Sequence, residues 1–220
     1  MARRAERKNA SVIIPADPGA REALSERVTE MLLGDERVAS VRPFGSLVSG
    51  KADEFSDIDL MAHLRPGVVD RAFWADLPEV LGQIGPAVSG WSFQAINTQQ
   101  YGASFFFDDH PLFWVVDIGC VADSPTDPSD LLATYRWEQI YKMWIGAARS
   151  VARSDARLRS LRRQVERHHP VEEIAEPDTP IRELRVLLDG IEHRKIQNGD
   201  PYEHLHRRCS ELLLMMADSR

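Results

Sequence analysis

Apolar residues recur along the chain with two different periods, and the switches between them mark out its elements. From Pro18 to Gly34, the residues Ala23, Leu24, Val28, Met31 and Leu32 fall on one helical face. Val38 to Phe44 follows as a short strand, with Pro43 suited to its end rather than its middle. Ser56 to Leu64 alternates from Ile58 onward, the period of a strand with one face in a core. Pro66-Gly67 breaks the chain, and Val68 to Ile84 returns to helical spacing through Phe73, Leu77, Val80 and Leu81. Pro78 is predicted to kink or split that helix, and Gly85-Pro86 to end it. Trp91 to Asn97 alternates again. Tyr101 to Phe107 and Leu112 to Val121 then read as a hairpin joined by Asp108-Asp109-His110-Pro111.

These elements predict an α+β fold, a mixed β-sheet of about five strands with flanking helices. Asp123 to Asp130 is a polar, proline-containing linker, and no strand pattern lies beyond it. Leu131 to His168 is helical in pattern, as one long bent helix or two. Pro170 to Pro180 is a second break, and helices follow near Ile181 to Gln197 and Pro201 to Met216, split by Asn198-Gly199-Asp200. The predicted organisation is a sheet domain over residues 1–125 and a C-terminal helical bundle over residues 126–220. A ligand cleft is expected at their junction.

The strand at Ser56 to Leu64 carries the first candidate chemistry. Side chains two apart on a strand share a face, so Asp57 and Asp59 point one way while Ile58 and Leu60 enter the core. Adjacent carboxylates on one face repel, and a hard cation relieves that repulsion. Mg²⁺ takes oxygen ligands and typically uses one or two carboxylates together with substrate phosphates. A third acid, Asp117, interrupts the apolar run Phe113 to Val121, where an unsatisfied charge is costly. Alone it is as well explained by buried hydrogen bonds; beside Asp57 and Asp59 it completes a three-carboxylate site.

Upstream, Phe44-Gly45-Ser46 ends the preceding strand. Glycine lets backbone approach a ligand closely, and a serine hydroxyl with free N–H groups can cradle phosphate oxygens. The link from Leu47 to Ser56 adds Gly50, Lys51 and Ser56, small or phosphate-friendly residues, and is long enough for a short helical turn.

Gly45-Ser46, the spacer with Gly50-Lys51-Ala52, Ser56-Asp57-Ile58-Asp59-Leu60 and the later lone Asp117 together resemble the DNA polymerase beta-like nucleotidyltransferase superfamily. Within it, the chain looks most like the small enzymes that nucleotidylate antibiotics of the aminoglycoside and lincosamide types. The resemblance covers Val38 to Leu64 with Asp117 added. It implies a transferase in which Gly45, Ser46, Lys51 and Ser56 bind the nucleotide, while Asp57, Asp59 and Asp117 form the catalytic, metal-binding set. It further implies Mg²⁺ as cofactor, an NTP (by family default ATP) as donor, and a small-molecule hydroxyl as acceptor. In some family members the third acid is a metal ligand, and in others a carboxylate acts as general base on the acceptor hydroxyl. The resemblance leaves Asp117 open to either role, with Glu138 as a second base candidate.

Composition bounds the alternatives. The chain has 220 residues, a net charge of −7 and only two cysteines, Cys120 and Cys209. The cysteines support neither a disulfide framework nor a zinc site, and a reduced, cytoplasmic protein is expected. No apolar run is long enough to span a bilayer, so no membrane partner is expected. The acidic balance argues against nucleic acid as partner. The oligomeric state, a homodimer included, is open. Arg149, Arg153 and Arg157 stack four apart within an arginine-rich stretch ending at His168-His169, which reads as a solvated helix face or a polyanion contact. Two other readings stand beside the small-molecule transferase: an enzyme with a protein or RNA acceptor, and a non-catalytic nucleotide sensor.

Overall fold

The computed structural model describes residues 18–84, 88–97, 100–123, 136–153, 179–198 and 203–218. Two compact units result, Met1–Arg136 and Trp137–Arg220. The expected boundary at 125/126, the linker Asp123–Asp130 beyond its first residue, the Gly85-Pro86 stop and the arginine-rich stretch beyond Arg153 lie outside the described residues.

The first unit runs α1 (Pro18–Gly34), β1 (Val38–Pro43), α2 (Gly45–Ser49), β2 (Ile58–Leu64), α3 (Asp70–Gly82), β3 (Val88–Asn97), β4 (Gln100–Phe107) and β5 (Val116–Val121). Its five strands form one mixed sheet in the order β1-β2-β5-β4-β3. β2 and β5 pair in parallel at its centre, and the other neighbours are antiparallel. The chain leaves β2, forms α3 and the β3–β4 hairpin, and returns to set β5 beside β2.

Alternation sorts the two faces. Ile58, Leu60, Ala62 and Leu64 of β2, Ala103, Phe105 and Phe107 of β4, and Val116, Ile118 and Cys120 of β5 enter a single core. Leu24, Val28 and Leu32 of α1 and Phe73, Trp74, Leu77 and Leu81 of α3 pack into the same core, so both helices cover one face. The opposite face is left for Asp59, Met61 and His63 of β2 and Asp117 of β5, all half-buried.

Several expectations are corrected. Ala23 is exposed, and the buried stripe of α1 begins instead with Arg21. Of the two outcomes expected at Pro78, a split does not occur: α3 runs from Asp70 to Gly82 with Pro78 inside it. Leu112 to Val115 is a buried turn, with the Trp114 N–H donating to the Pro111 carbonyl at 2.9 Å, so β5 starts only at Val116. Those four residues are apolar because they are buried, which an apolar run alone cannot tell from strand.

An ionic clasp joins elements at the sheet edge. Arg37 bonds Asp35 at 2.6 Å and Asp76 of α3 at 2.6 Å, and its guanidinium lies 5.8 Å from the Phe73 ring centre. The Arg37 guanidinium holds the Asp35 carboxyl below the ordinary carboxylate range.

In the second unit, α4 (Arg136–Ala152), α5 (Pro180–Asn198) and α6 (Glu203–Asp218) are the described elements. Tyr141 and Trp144 of α4 are fully buried. The Trp144 indole donates to the Leu184 carbonyl at 2.8 Å, and the Tyr141 hydroxyl meets His206 Nδ1 at 3.1 Å. Both aromatic residues are therefore helix-bundle core. Both cysteines are free and buried. No described helix is long and apolar enough to cross a membrane.

Candidate active site

Asp57, Asp59 and Asp117 converge, with one carboxylate oxygen from each lying within 4.8 Å of the other two. The sheet produces this meeting. Parallel β2 and β5 place Asp59 and Asp117 in register, so they stand side by side on neighbouring strands. Asp57 precedes β2 by one residue and shares the face of Asp59. Its approach is fixed where the Ile58 N–H donates to the Val115 carbonyl at 2.9 Å.

The Gly45-Ser46 turn is laid against the same strand. The Phe44 N–H donates to the Asp59 carbonyl at 2.9 Å, and the chain turns at once into α2. Gly45 has φ +68°, and a Cβ placed on it would lie 2.1 Å from Asp59 Oδ2. Glycine is needed here for both backbone conformation and clearance. Ser46 Oγ is buried and makes no hydrogen bond. Buried hydroxyls are rarely left so, and a bound ligand would satisfy this one.

The other two expected nucleotide residues differ from this pair. Lys51 is exposed, and its backbone N–H closes the turn on the Ser46 carbonyl at 3.2 Å. Ser56 is buried and engaged within the loop: its hydroxyl donates to Asp53 Oδ1 at 2.8 Å and accepts from the Asp53 N–H at 3.0 Å. These bonds fix the loop one residue before Asp57. Glu138 belongs to α4, and its side chain lies outside the described residues.

Residues missed in the sequence hold that loop. The buried Arg21 guanidinium donates to the Asp53 carbonyl. The Trp114 indole donates to the Glu54 carbonyl at 3.0 Å, and Phe55 meets Phe113 edge-on at 5.5 Å. Arg21 had a signal, since it continues the Leu24-Val28-Leu32 stripe at helical spacing. Ser104 of β4 was missed too. It is fully buried, pairs in register with Asp117, and donates its hydroxyl to Asp117 Oδ1.

The donor set fits a hard divalent cation. It consists of carboxylate oxygens with no thiolate or imidazole among them, the chemistry that suits hard cations such as Mg²⁺, Ca²⁺ or Mn²⁺. The orphaned Ser46 hydroxyl beside Gly45 fits a phosphate oxygen.

Residues 21–101 match the family model of the nucleotidyltransferase domain. That segment holds Gly45, Ser46, Asp57 and Asp59 but stops short of Asp117, which joins them only through the fold. No curated protein matches the chain in sequence. A solved structure of Cid1, described by its RNA terminal uridylyl transferase activity, aligns at 19% identity and a TM-score of 0.39 over 67% of this chain. The chain spans 44% of the Cid1 chain, and a likeness this slight carries no argument about acceptor. Over residues 21–101 the chain is therefore similar to the nucleotidyltransferase domain, and the converging carboxylates include two residues of that matched segment, Asp57 and Asp59.

Proposed function

We propose that the protein transfers a nucleoside monophosphate from an NTP, ATP first among candidates, to a hydroxyl of a small molecule. The observation that carries this reading is the convergence of Asp57, Asp59 and Asp117 beside the Gly45-Ser46 turn. Asp57, Asp59 and Asp117 would hold Mg²⁺, which when bound supplies charge neutralisation for the triphosphate and acidifies the acceptor hydroxyl.

The remaining roles belong to the chain itself. Gly45 brings backbone close to the phosphates, and Ser46 Oγ donates to a phosphate oxygen. Lys51, exposed at the end of the turn, offers a cation to the triphosphate tail. The acceptor hydroxyl oxygen bonds to the α-phosphorus, and the bond from that phosphorus to the α–β bridging oxygen breaks. Pyrophosphate leaves with the electron pair, and the hydroxyl proton passes to a carboxylate. The site contributes mainly position and fixed charge.

A small neutral or cationic acceptor, such as an aminoglycoside- or lincosamide-like antibiotic, suits a chain of net charge −7 better than a polyanion does. Incubation with labelled NTPs, Mg²⁺ and separate panels of aminoglycosides, lincosamides, RNA and proteins tests it. Label in a small molecule alone supports the proposal. Label in RNA or protein overturns its acceptor half, and Mg²⁺-independent nucleotide binding without transfer overturns the whole.

A further inference from the structure

Three consecutive strands bring three polar side chains into one row. β2 sets Asp59 beside Asp117 of β5, and β5 sets Asp117 beside Ser104 of β4. Neighbouring strands lie about 4.8 Å apart, so each member can touch only the next. Ser104, with Ser92 of β3 next to it in register, is the hydroxyl adjacent to Asp117 in this row, and it is completely removed from solvent. Its chain neighbours Ala103 and Phe105 enter the core on the opposite face. On its own face, Gly102 and the facing Gly119 of β5 carry no side chains to one side, and the buried Phe106 lies two residues to the other.

A buried hydroxyl needs a partner, and here the partner is a site carboxylate. Ser104 Oγ donates to Asp117 Oδ1. That bond restrains the carboxylate's terminal torsion, which in aspartate is otherwise broad. We propose that Ser104 is the positioning residue of the third carboxylate, holding Asp117 so that an oxygen faces Asp57 and Asp59 in readiness for a divalent cation. The proposal rests on the metal-binding reading of the triad. Ser104 touches neither nucleotide nor acceptor and acts only through Asp117. Hydrogen-bonded partners of ligating carboxylates typically matter about 10–100-fold in metal affinity.

The test is direct Mn²⁺ binding to the full-length, nucleotide-free protein, followed by the electron paramagnetic resonance signal of free Mn²⁺, with a thermal melt for each variant. Ser104→Ala is expected to weaken Mn²⁺ binding about tenfold or more. Ala103→Gly, which loosens the same strand on its core face, is expected to lower the melting temperature while keeping wild-type affinity. Should Ser104→Ala not fold, Ser104→Thr keeps the hydroxyl and is expected to bind within about threefold of wild type, against the tenfold loss above. Ser104→Ala binding as tightly as wild type overturns the proposal, as does an equal loss in Ala103→Gly or a large loss in a folded Ser104→Thr. In each of those cases wild-type binding leaves the metal-site reading standing. Wild-type protein that binds no Mn²⁺ overturns both.

Discussion

Gly45 stands directly against Asp59: a methyl group at Gly45 would lie 2.1 Å from the Asp59 Oδ2 oxygen. The turn proposed to receive phosphates and the strand proposed to hold the metal are therefore one packed unit. Gly50, five residues on, has the same φ of +68° but open space around its missing Cβ. The two glycines separate conformational cost from steric cost. Gly50→Ala should lose about 1 kcal/mol of stability and keep divalent-ion affinity. Gly45→Ala should lose about 2 kcal/mol or more and, by displacing the Asp59 carboxylate, weaken Mn²⁺ binding and transfer at least about tenfold. Chemical denaturation and Mn²⁺ titration of both variants check this; equal effects would show that clearance at Gly45 is unimportant.

Divalent ions should stabilise the protein through the triad. A ligand that binds only the folded state at 100 times its Kd adds about 2.7 kcal/mol. Thermal melts should shift upward with Mg²⁺ or Mn²⁺ in the wild type, return with EDTA, and show no shift in Asp117→Asn. A shift of wild-type size in Asp117→Asn would place the ion elsewhere.

The Arg37 clasp predicts a pH dependence of stability. The Arg37 hydrogen bond lowers the Asp35 pKa in the folded protein, so the unfolded chain binds the proton more readily. The stabilisation is fully present above the ordinary aspartate value of 3.8 and is lost as pH falls through the folded value. Asp35→Asn should cost about 1–2 kcal/mol at pH 7. That difference should shrink once the pH drops below the ordinary value. Urea unfolding of both proteins at neutral and strongly acidic pH measures it; a constant difference would contradict the clasp.

Both thiols should be silent in the native state. Burial, with Asp70 adding to it, pushes the Cys120 thiol up to about 12, and burial raises that of Cys209 as well. The thiolate is the reactive form, and it is absent at neutral pH. Iodoacetamide at pH 8 should label neither cysteine in the folded protein and both in denaturant, as read by mass spectrometry. Rapid native labelling of Cys120 would contradict the packing of β5 against its core.

Much of this fold was legible in the sequence because its signals are local. Helix α1 follows its apolar spacing over the full range Pro18–Gly34, and the period of two from Ile58 separates the core side chains from Asp57 and Asp59. Asp117 stood out as one acid in an apolar run. The supporting residues were hidden because they depend on pairings distant in the chain. Ser104 becomes meaningful only when β4 is set in register with β5, and Trp114 only when its indole reaches the loop at Glu54. Ser56 was no clearer: its hydroxyl donates to Asp53 three residues away, a bond that its place beside the acids did not announce.

The most direct measurement of the central claim is transfer of label from an α-labelled NTP to a small-molecule acceptor, in wild type and in Asp57→Asn, Asp59→Asn and Asp117→Asn, each shown by circular dichroism to be folded. We predict Mg²⁺-dependent transfer with stoichiometric pyrophosphate release in the wild type, abolished by EDTA and by each substitution. Full transfer in any folded Asp variant, or transfer indifferent to EDTA, would contradict the account.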